Sequence, residues 1–240
     1  ELVVILKYKK EILEQPRIIN KIPSQFTSNI FKDLKIITSK IEKKEIDQII
    51  ITGMGASLYG SYPLYIFLNK HINIPISIWD CSELLQQTNN IITNNTIIIA
   101  TSQSGESIEL IKLTELKRKP KVSISITNLP NNTLSKWSDI SIFTNAGHEA
   151  TVSSKTYTGG CAAHYILGLS LIKKEKQGIV EIKNVSKKIK LFLKTLDEII
   201  NEACAFLEPE NNLTFIGRGF SYSSANYAAL ITAEASKLPS

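Results

Sequence analysis

Between residues 101 and 107 the chain reads Thr101-Ser102-Gln103-Ser104-Gly105-Glu106-Ser107, four hydroxyls and a carboxamide in one short polar stretch. An apolar run, Ile97-Ile98-Ile99-Ala100, precedes it, and an amphipathic one, Ile108-Glu109-Leu110-Ile111-Lys112-Leu113, follows. That pattern reads as buried strand, polar turn and helix. The first N–H groups of a helix lack partners and the dipole is positive there, so such a turn attracts anions. With no Lys or Arg in the loop, the expected guest is a phosphate held by hydroxyls and backbone dipoles. The same residues also read as an ordinary serine-rich helix cap. Two further stretches have loop chemistry. One is Gly53-Met54-Gly55-Ala56-Ser57, where glycine lets backbone approach a ligand. The other is Thr144-Asn145-Ala146-Gly147-His148-Glu149, running into Thr151-Val152-Ser153-Ser154-Lys155-Thr156-Tyr157-Thr158.

Positioning three such loops takes a scaffold, and the apolar pattern supplies one. Strands are expected over residues 47–52, 74–79, 97–101, 122–127 and 140–144. Helices are expected over 57–68, 82–87 and 107–116, then over 158–172 and 182–206. Near-continuous isoleucine runs are typical of strands covered on both faces, as in parallel sheets. Strand–helix alternation predicts an α/β fold: a doubly wound, five-stranded parallel sheet of flavodoxin-like order, with ligands at the carboxyl ends of the strands. Ahead of it, residues 8–20 read as a short helix ended or kinked by Pro16, and Pro23-Ser24 opens a longer one carrying Phe26, Ile30, Leu34, Ile37 and Ile41. Behind it, Leu213-Thr214-Phe215-Ile216-Gly217-Arg218-Gly219 reads as a sixth apolar strand, followed by a helix over 222–235. This unit imitates residues 49–68 and reads as the opening of a repeat. The expected division is residues 1–44 as N-terminal helices, 45–195 as the first domain, and 196–240 as a connecting helix and the start of a second domain. The chain is expected to continue past Ser240.

The chain has 240 residues, 43% of them hydrophobic and 21% charged, which suits a globular core rather than disorder. Its net charge of +6 comes from lysines spread over helices, with no aromatic-interleaved basic stripe, so nucleic acid is not an expected partner. Three widely spaced cysteines, Cys81, Cys161 and Cys204, form neither a disulfide framework nor a zinc pattern and read as buried thiols in a reducing compartment. The opening apolar run is short, lacks a preceding basic region and leads to no cleavage site, and no span of about 20 apolar residues occurs. A cytoplasmic protein with no membrane partner is expected.

Together the loops resemble the SIS (sugar isomerase) domain family of phosphosugar-binding proteins, in particular the isomerase half of glucosamine-fructose-6-phosphate aminotransferase and its deaminase and deglycase relatives. The resemblance rests on Ser-Gln-Ser-Gly-Glu-Ser at 102–107, Thr-Asn-Ala-Gly-x-Glu at 144–149, Ser-Ser-Lys-Thr-Tyr-Thr at 153–158, and Glu-x-x-Glu-Gln-Pro at 11–16. It implies that Ser102, Gln103, Ser104 and Ser107 hold the phosphate of a hexose 6-phosphate. Ser57, with the backbone of Gly55 and Ala56, would line the sugar. Ser153, beside the backbone of Thr151 and Val152, would contact its hydroxyls. Glu234, in Leu230-Ile231-Thr232-Ala233-Glu234-Ala235-Ser236, maps to the family's catalytic glutamate. A carboxylate half-shielded by Ala233 and Ala235 suits proton transfer between C1 and C2 of an open-chain sugar.

Two positions depart from the aminotransferase: Ile231 stands where it has a lysine, and one residue fewer separates Glu149 from Ser153-Ser154-Lys155. Of the histidines, His148 is singled out for its place on the third loop, while His71 and His164 are set aside. The resemblance implies an enzyme acting on an amino-hexose 6-phosphate, by aldose–ketose isomerisation with amine transfer or removal. It implies a homodimer and no metal or organic cofactor. The alternative is a non-catalytic phosphosugar-sensing module of a regulator.

Overall fold

The computed structural model describes residues 2–150, 152–207 and 212–236. Five strands, β1 (Gln48–Gly53), β2 (Ile76–Asp80), β3 (Thr96–Thr101), β4 (Val122–Thr127) and β5 (Ile140–Phe143), form one sheet in the order β2-β1-β3-β4-β5. Every neighbouring pair is parallel. This is the expected doubly wound order. Its reversal of direction falls between β1 and β3, where a crevice opens at the carboxyl ends.

Alternation along each strand decides which layer a side chain joins. Ile49, Ile51, Ile97, Ile99, Ile124 and Ile126 enter one core. It is covered by α1 (Leu2–Lys21), α2 (Ser28–Glu42), α3 (Gly55–His71), α7 (Lys155–Leu171) and α8 (Glu175–Phe192). Ile50, Ile98 and Ala100 enter the other. There α4 (Cys81–Gln86), α5 (Ile108–Thr114) and α6 (Thr133–Trp137) supply Cys81, Leu84, Leu110, Leu113 and Leu134. Register then levels the strand ends, Gly53 facing Thr101 and Thr101 facing Ile126. The loops that follow β1, β3 and β4 therefore emerge side by side.

Several local expectations are corrected by packing. Pro16 does not end the first helix: α1 runs through it to Lys21. Packing of α1 on α7 and α8 offsets the lost helical hydrogen bond, and Ser186 Oγ donates to the Pro16 carbonyl at 2.7 Å. Pro23 sits in a 3-10 turn, Ile22–Gln25, and α2 starts only at Ser28, where the Thr27 side chain caps the Ile30 N–H. The long helical region begins at Glu175 rather than 182. It is interrupted by a 3-10 turn, Leu193–Thr195, before α9 (Leu196–Leu207). Residues 212–218 form no strand. A strand needs a hydrogen-bonded neighbour, and none pairs with this stretch among the described residues. The last helix, α10 (Phe220–Ile231), ends in a wider π turn, Thr232–Ser236. It docks on α3: Ser223 Oγ donates to the Tyr59 carbonyl at 2.6 Å, and the rings of Tyr222 and Tyr62 meet edge to face at 5.1 Å. Of the cysteines, Cys81 is buried, Cys161 half-buried and Cys204 exposed, so the expectation of three buried thiols fails at Cys204. Among the described residues no helix is long and apolar enough to cross a membrane.

Candidate functional site

The three loops build one cleft at the carboxyl edge of the sheet. At the first, β1 closes on β3 so tightly that a Cβ on Gly53 would lie 2.9 Å from the Thr101 carbonyl oxygen. Only glycine allows that approach. It brings the first turn of α3, with Ala56 and Ser57, against the second loop.

The second loop is held by its own hydroxyls. Ser102 Oγ accepts from the Gly105 N–H at 3.0 Å and lies 3.2 Å from Ser107 Oγ, while Ser104 Oγ accepts from the Glu106 N–H at 3.1 Å. Glu106 fastens the loop to α6: its carboxylate accepts from the Thr133 N–H at 2.6 Å and from Thr133 Oγ1 at 2.8 Å. These bonds hold its carboxyl below the usual range. The loop's one charge is thus consumed by the start of α6. Gly105 has a positive φ of 69°, and a Cβ there would fall 2.1 Å from Asn132 Oδ1. Gly105→Ala is expected to destabilise the protein by about 2 kcal/mol through backbone strain and this clash, read as a lowered urea midpoint with unchanged slope.

The third loop is strapped from two sides. Asn128 Oδ1 accepts from Thr144 Oγ1 at 3.1 Å and from the Ala146 N–H at 2.9 Å, and its Nδ2 donates to the Gly147 carbonyl at 2.8 Å. Glu149 caps the start of α7, accepting from the Ser154 N–H at 2.8 Å, the Thr156 N–H at 3.0 Å and Thr156 Oγ1. From α1, Glu11 accepts from the Ala150 N–H at 2.7 Å, and Glu14 pairs with the buried Lys155 ammonium at 2.7 Å. The Glu-x-x-Glu spacing puts both carboxylates on the helix face that meets this loop. The Lys155 ammonium holds the Glu14 carboxyl below the usual range.

Ala56, Ser57, Ser102, Gln103 and Ser153 stand on the cleft wall, joined by Thr101, Asn128, Thr156, Tyr157 and His164. Among the described residues, no Lys, Arg, Asp or Glu lines the cleft. The cleft is small, about 30 Å³, and opens to solvent between the loops.

A family profile described as the SIS domain matches residues 41–172, more than half of the chain. The chain belongs to the SIS domain family. Among its relatives, the glutamine–fructose-6-phosphate aminotransferase (isomerizing) of Clostridium tetani is 32% identical over 250 aligned positions, covering 96% of this chain and 40% of that protein. The Thermotoga maritima protein of the same name is 29% identical over 232, covering 92% and 38%. The SIS chain therefore spans about two-fifths of the length of these relatives. In fold it matches the C-terminal domain of glucosamine-fructose-6-phosphate aminotransferase from Francisella tularensis at a TM-score of 0.76 with 24% identity, covering 97% of this chain and 68% of that one. It matches tagatose-6-phosphate ketose/aldose isomerase from Escherichia coli at 0.73 with 18% identity, covering 96% and 64%.

Not every anticipated residue reaches the cleft wall of this SIS chain. Gly55, at the start of α3, Ser107, whose Oγ lies 3.2 Å from Ser102 Oγ, and the exposed Ser104 are not among the lining residues. Val152 flanks Ser153 without lining the cleft, and Thr151 lies outside the described residues. Glu234 is exposed on the π turn with Ala233 and Ala235 exposed beside it, so these alanines do not provide the expected shielding.

His148 is exposed and off the wall, whereas His164 is buried on it. A signal for His164 was present. Thr156, Tyr157, Gly160, Cys161 and His164 recur at three- and four-residue steps, one face of α7, and all line the cleft, with Ser153 just ahead of the helix. His164 Nε2 lies 2.9 Å from Thr101 Oγ1 and 3.3 Å from Ser61 Oγ, and Ser61 Oγ donates to the Ser57 carbonyl at 2.8 Å. Burial pushes the imidazole down to about 4, against a smaller upward pull from the Gly60 backbone. It also pushes the Cys161 thiol up to about 12, which leaves that group uncharged and a poor nucleophile at neutral pH.

The His164 shift has a sign for stability. Unfolded, the imidazole gains its proton near 6.5; folded, only near 4. Between the two the unfolded chain binds more protons, so stability falls as pH drops from about 6.5 to about 4. His164→Gln is expected to remove this part of the pH dependence, measured as urea midpoints on either side of that window.

Proposed function

We propose that this SIS chain binds a hexose 6-phosphate carrying an amine and acts on it by aldose–ketose isomerisation with transfer or removal of that amine. The observation that carries the reading is the uncharged, hydroxyl- and amide-lined cleft where the 102–107 loop meets Ser57 and Ser153. Ser102, Gln103, Ser104 and Ser107 are assigned the phosphate. Hydrogen bonds to a charged acceptor are the strong ones, so neutral donors suffice where no cation lines the site. Ser57, with the backbone of Gly55 and Ala56, is assigned the sugar, and Ser153, with the backbone of Thr151 and Val152, its hydroxyls. Phosphate binding orients the open-chain sugar. Glu234 is assigned the proton transfer from C1 or C2 and its return to the neighbouring carbon through an enolamine. Assembly as a homodimer belongs to the same proposal.

One observation favours a binding-only module: Glu234 is not on the cleft wall. Turnover separates the two. Incubation of the full-length protein with glucosamine 6-phosphate or a fructosamine 6-phosphate is expected to release ammonia or amine, or to interconvert aldose and ketose. Tight phosphosugar binding without turnover supports the sensor, and no binding at all refutes both.

A further inference from the structure

The helix that leads into the turn carrying Glu234 reaches the wall of the cleft through a side chain that no motif singled out. The Tyr227 hydroxyl, on α10, donates to the Ser153 carbonyl at 2.5 Å, and its ring stacks on Tyr157 with centroids 3.5 Å apart and planes 3° from parallel. Ser153 and Tyr157 both line the cleft. The Ser153 hydroxyl lies 3.1 Å from Thr156 Oγ1, which Glu149 in turn holds. Tyr227 thus supplies the hold on the Ser153 carbonyl, while the hydroxyl is left facing Thr156 and the cleft.

Docking of α10 does not need this bond. Ser223 already anchors the helix to Tyr59 and lies 3.2 Å from the Tyr157 hydroxyl, and Tyr222 packs on Tyr62. Farther along, Leu230 approaches Gly55: a Cβ there would lie 3.8 Å from its Cδ2. Glu234 lies beyond the end of α10, on the π turn Thr232–Ser236 that continues it. α10 therefore touches the first loop through Leu230 and the third through Tyr227, and leads into the turn that carries Glu234.

We infer that Tyr227 is a positioning residue: through the Ser153 carbonyl it sets the sugar-facing wall of the cleft and couples that wall to the helix that leads into the turn carrying Glu234. The claim about the substrate rests on the phosphosugar reading above; the claim about the loop does not. Burial raises the Tyr227 phenol well above its ordinary value, with Tyr8, Tyr157 and Glu149 adding to the rise, so it remains a proton donor at neutral pH. Tyr227→Phe keeps the stacked ring and removes only the donor, leaving the Ser153 carbonyl without it.

The test compares Tyr227→Phe with Ser223→Ala in the full-length protein, the second variant loosening α10 without touching Ser153. Tyr227→Phe is expected to raise KM for glucosamine 6-phosphate about tenfold, with kcat within about twofold of the parent. It is also expected to speed amide hydrogen exchange from Glu149 to Lys155 while the sheet stays protected. Ser223→Ala is expected to do neither. Equal effects of the two variants on exchange at Glu149–Lys155 would reduce Tyr227 to a docking contact and overturn the inference, as would unchanged exchange in Tyr227→Phe. If the parent binds no phosphosugar, the functional reading fails, and the exchange comparison still decides the role of Tyr227.

Discussion

Alanine at both Ser102 and Ser104 is expected to weaken glucosamine 6-phosphate binding about 100-fold, with the sheet left folded. Calorimetry checks the affinity, and circular dichroism the fold. Each hydroxyl is counted at the lower end of what a hydrogen bond to a charged group contributes, about 1.5 kcal/mol. The loop geometry adds a second effect of the same sign. Ser102 Oγ accepts from the Gly105 N–H, a buried contact, and Ser104 Oγ accepts from the Glu106 N–H. Their loss frees the turn that aims the remaining donors. The cost to the fold stays near 1 kcal/mol, because Glu106 still grips Thr133 and the Gly105 carbonyl still accepts from the Leu134 N–H at 3.1 Å. Unchanged affinity in the double variant would sink the phosphate assignment.

Glu234→Gln is expected to lower turnover of the amino-hexose phosphate by about 100- to 10,000-fold, the usual worth of a general acid–base group, with substrate affinity nearly unchanged. Glu234 is exposed, so the substitution is expected to move stability by no more than about 0.5 kcal/mol. Steady-state amine release and equilibrium binding, measured on the same preparation of the full-length protein, separate the two quantities. Full activity in the glutamine variant would remove Glu234 from the reaction. The binding-only reading would then need the parent itself to show no turnover.

Much of the sheet could be read along the chain. β4 spans residues 122–127 as the isoleucine–serine alternation implied, and β3 and β5 differ from expectation by one residue at one end. A run of β-branched residues bounded by turn formers states its own conformation, and the number of strands with helices between them leaves few ways to order a parallel sheet. The loops after β1 and β3 were legible for a similar reason: glycine and serine at a strand–helix junction act on backbone groups a few residues away. Pro16 and residues 213–219 misled because the deciding partners are distant. A helix interior tolerates Pro16 when α7 and α8 bury the rest of α1, and an apolar run becomes a strand only beside another strand.

The site divides in the same way. Ser57, Ser102, Gln103 and Ser153 could be named from their turns. His164 shares a helix face with the residues that line the cleft, but which way that face turns was not legible, because its partners Thr101 and Ser61 lie 63 and 103 residues away and meet it only where α7 crosses α3 and β3. Glu11 and Glu14 could be matched to a pattern, yet their work on Ala150 and Lys155 is a contact between the first helix and the third loop. By itself, then, the sequence determined the strands, their order and the polar turns at their carboxyl ends, since apolar alternation and turn chemistry act over a few residues. Tertiary structure alone decided which face of α7 closes the cleft and that Tyr227 reaches Ser153. Those contacts depend on how helices far apart in the chain pack across one sheet, and no local pattern encodes that crossing.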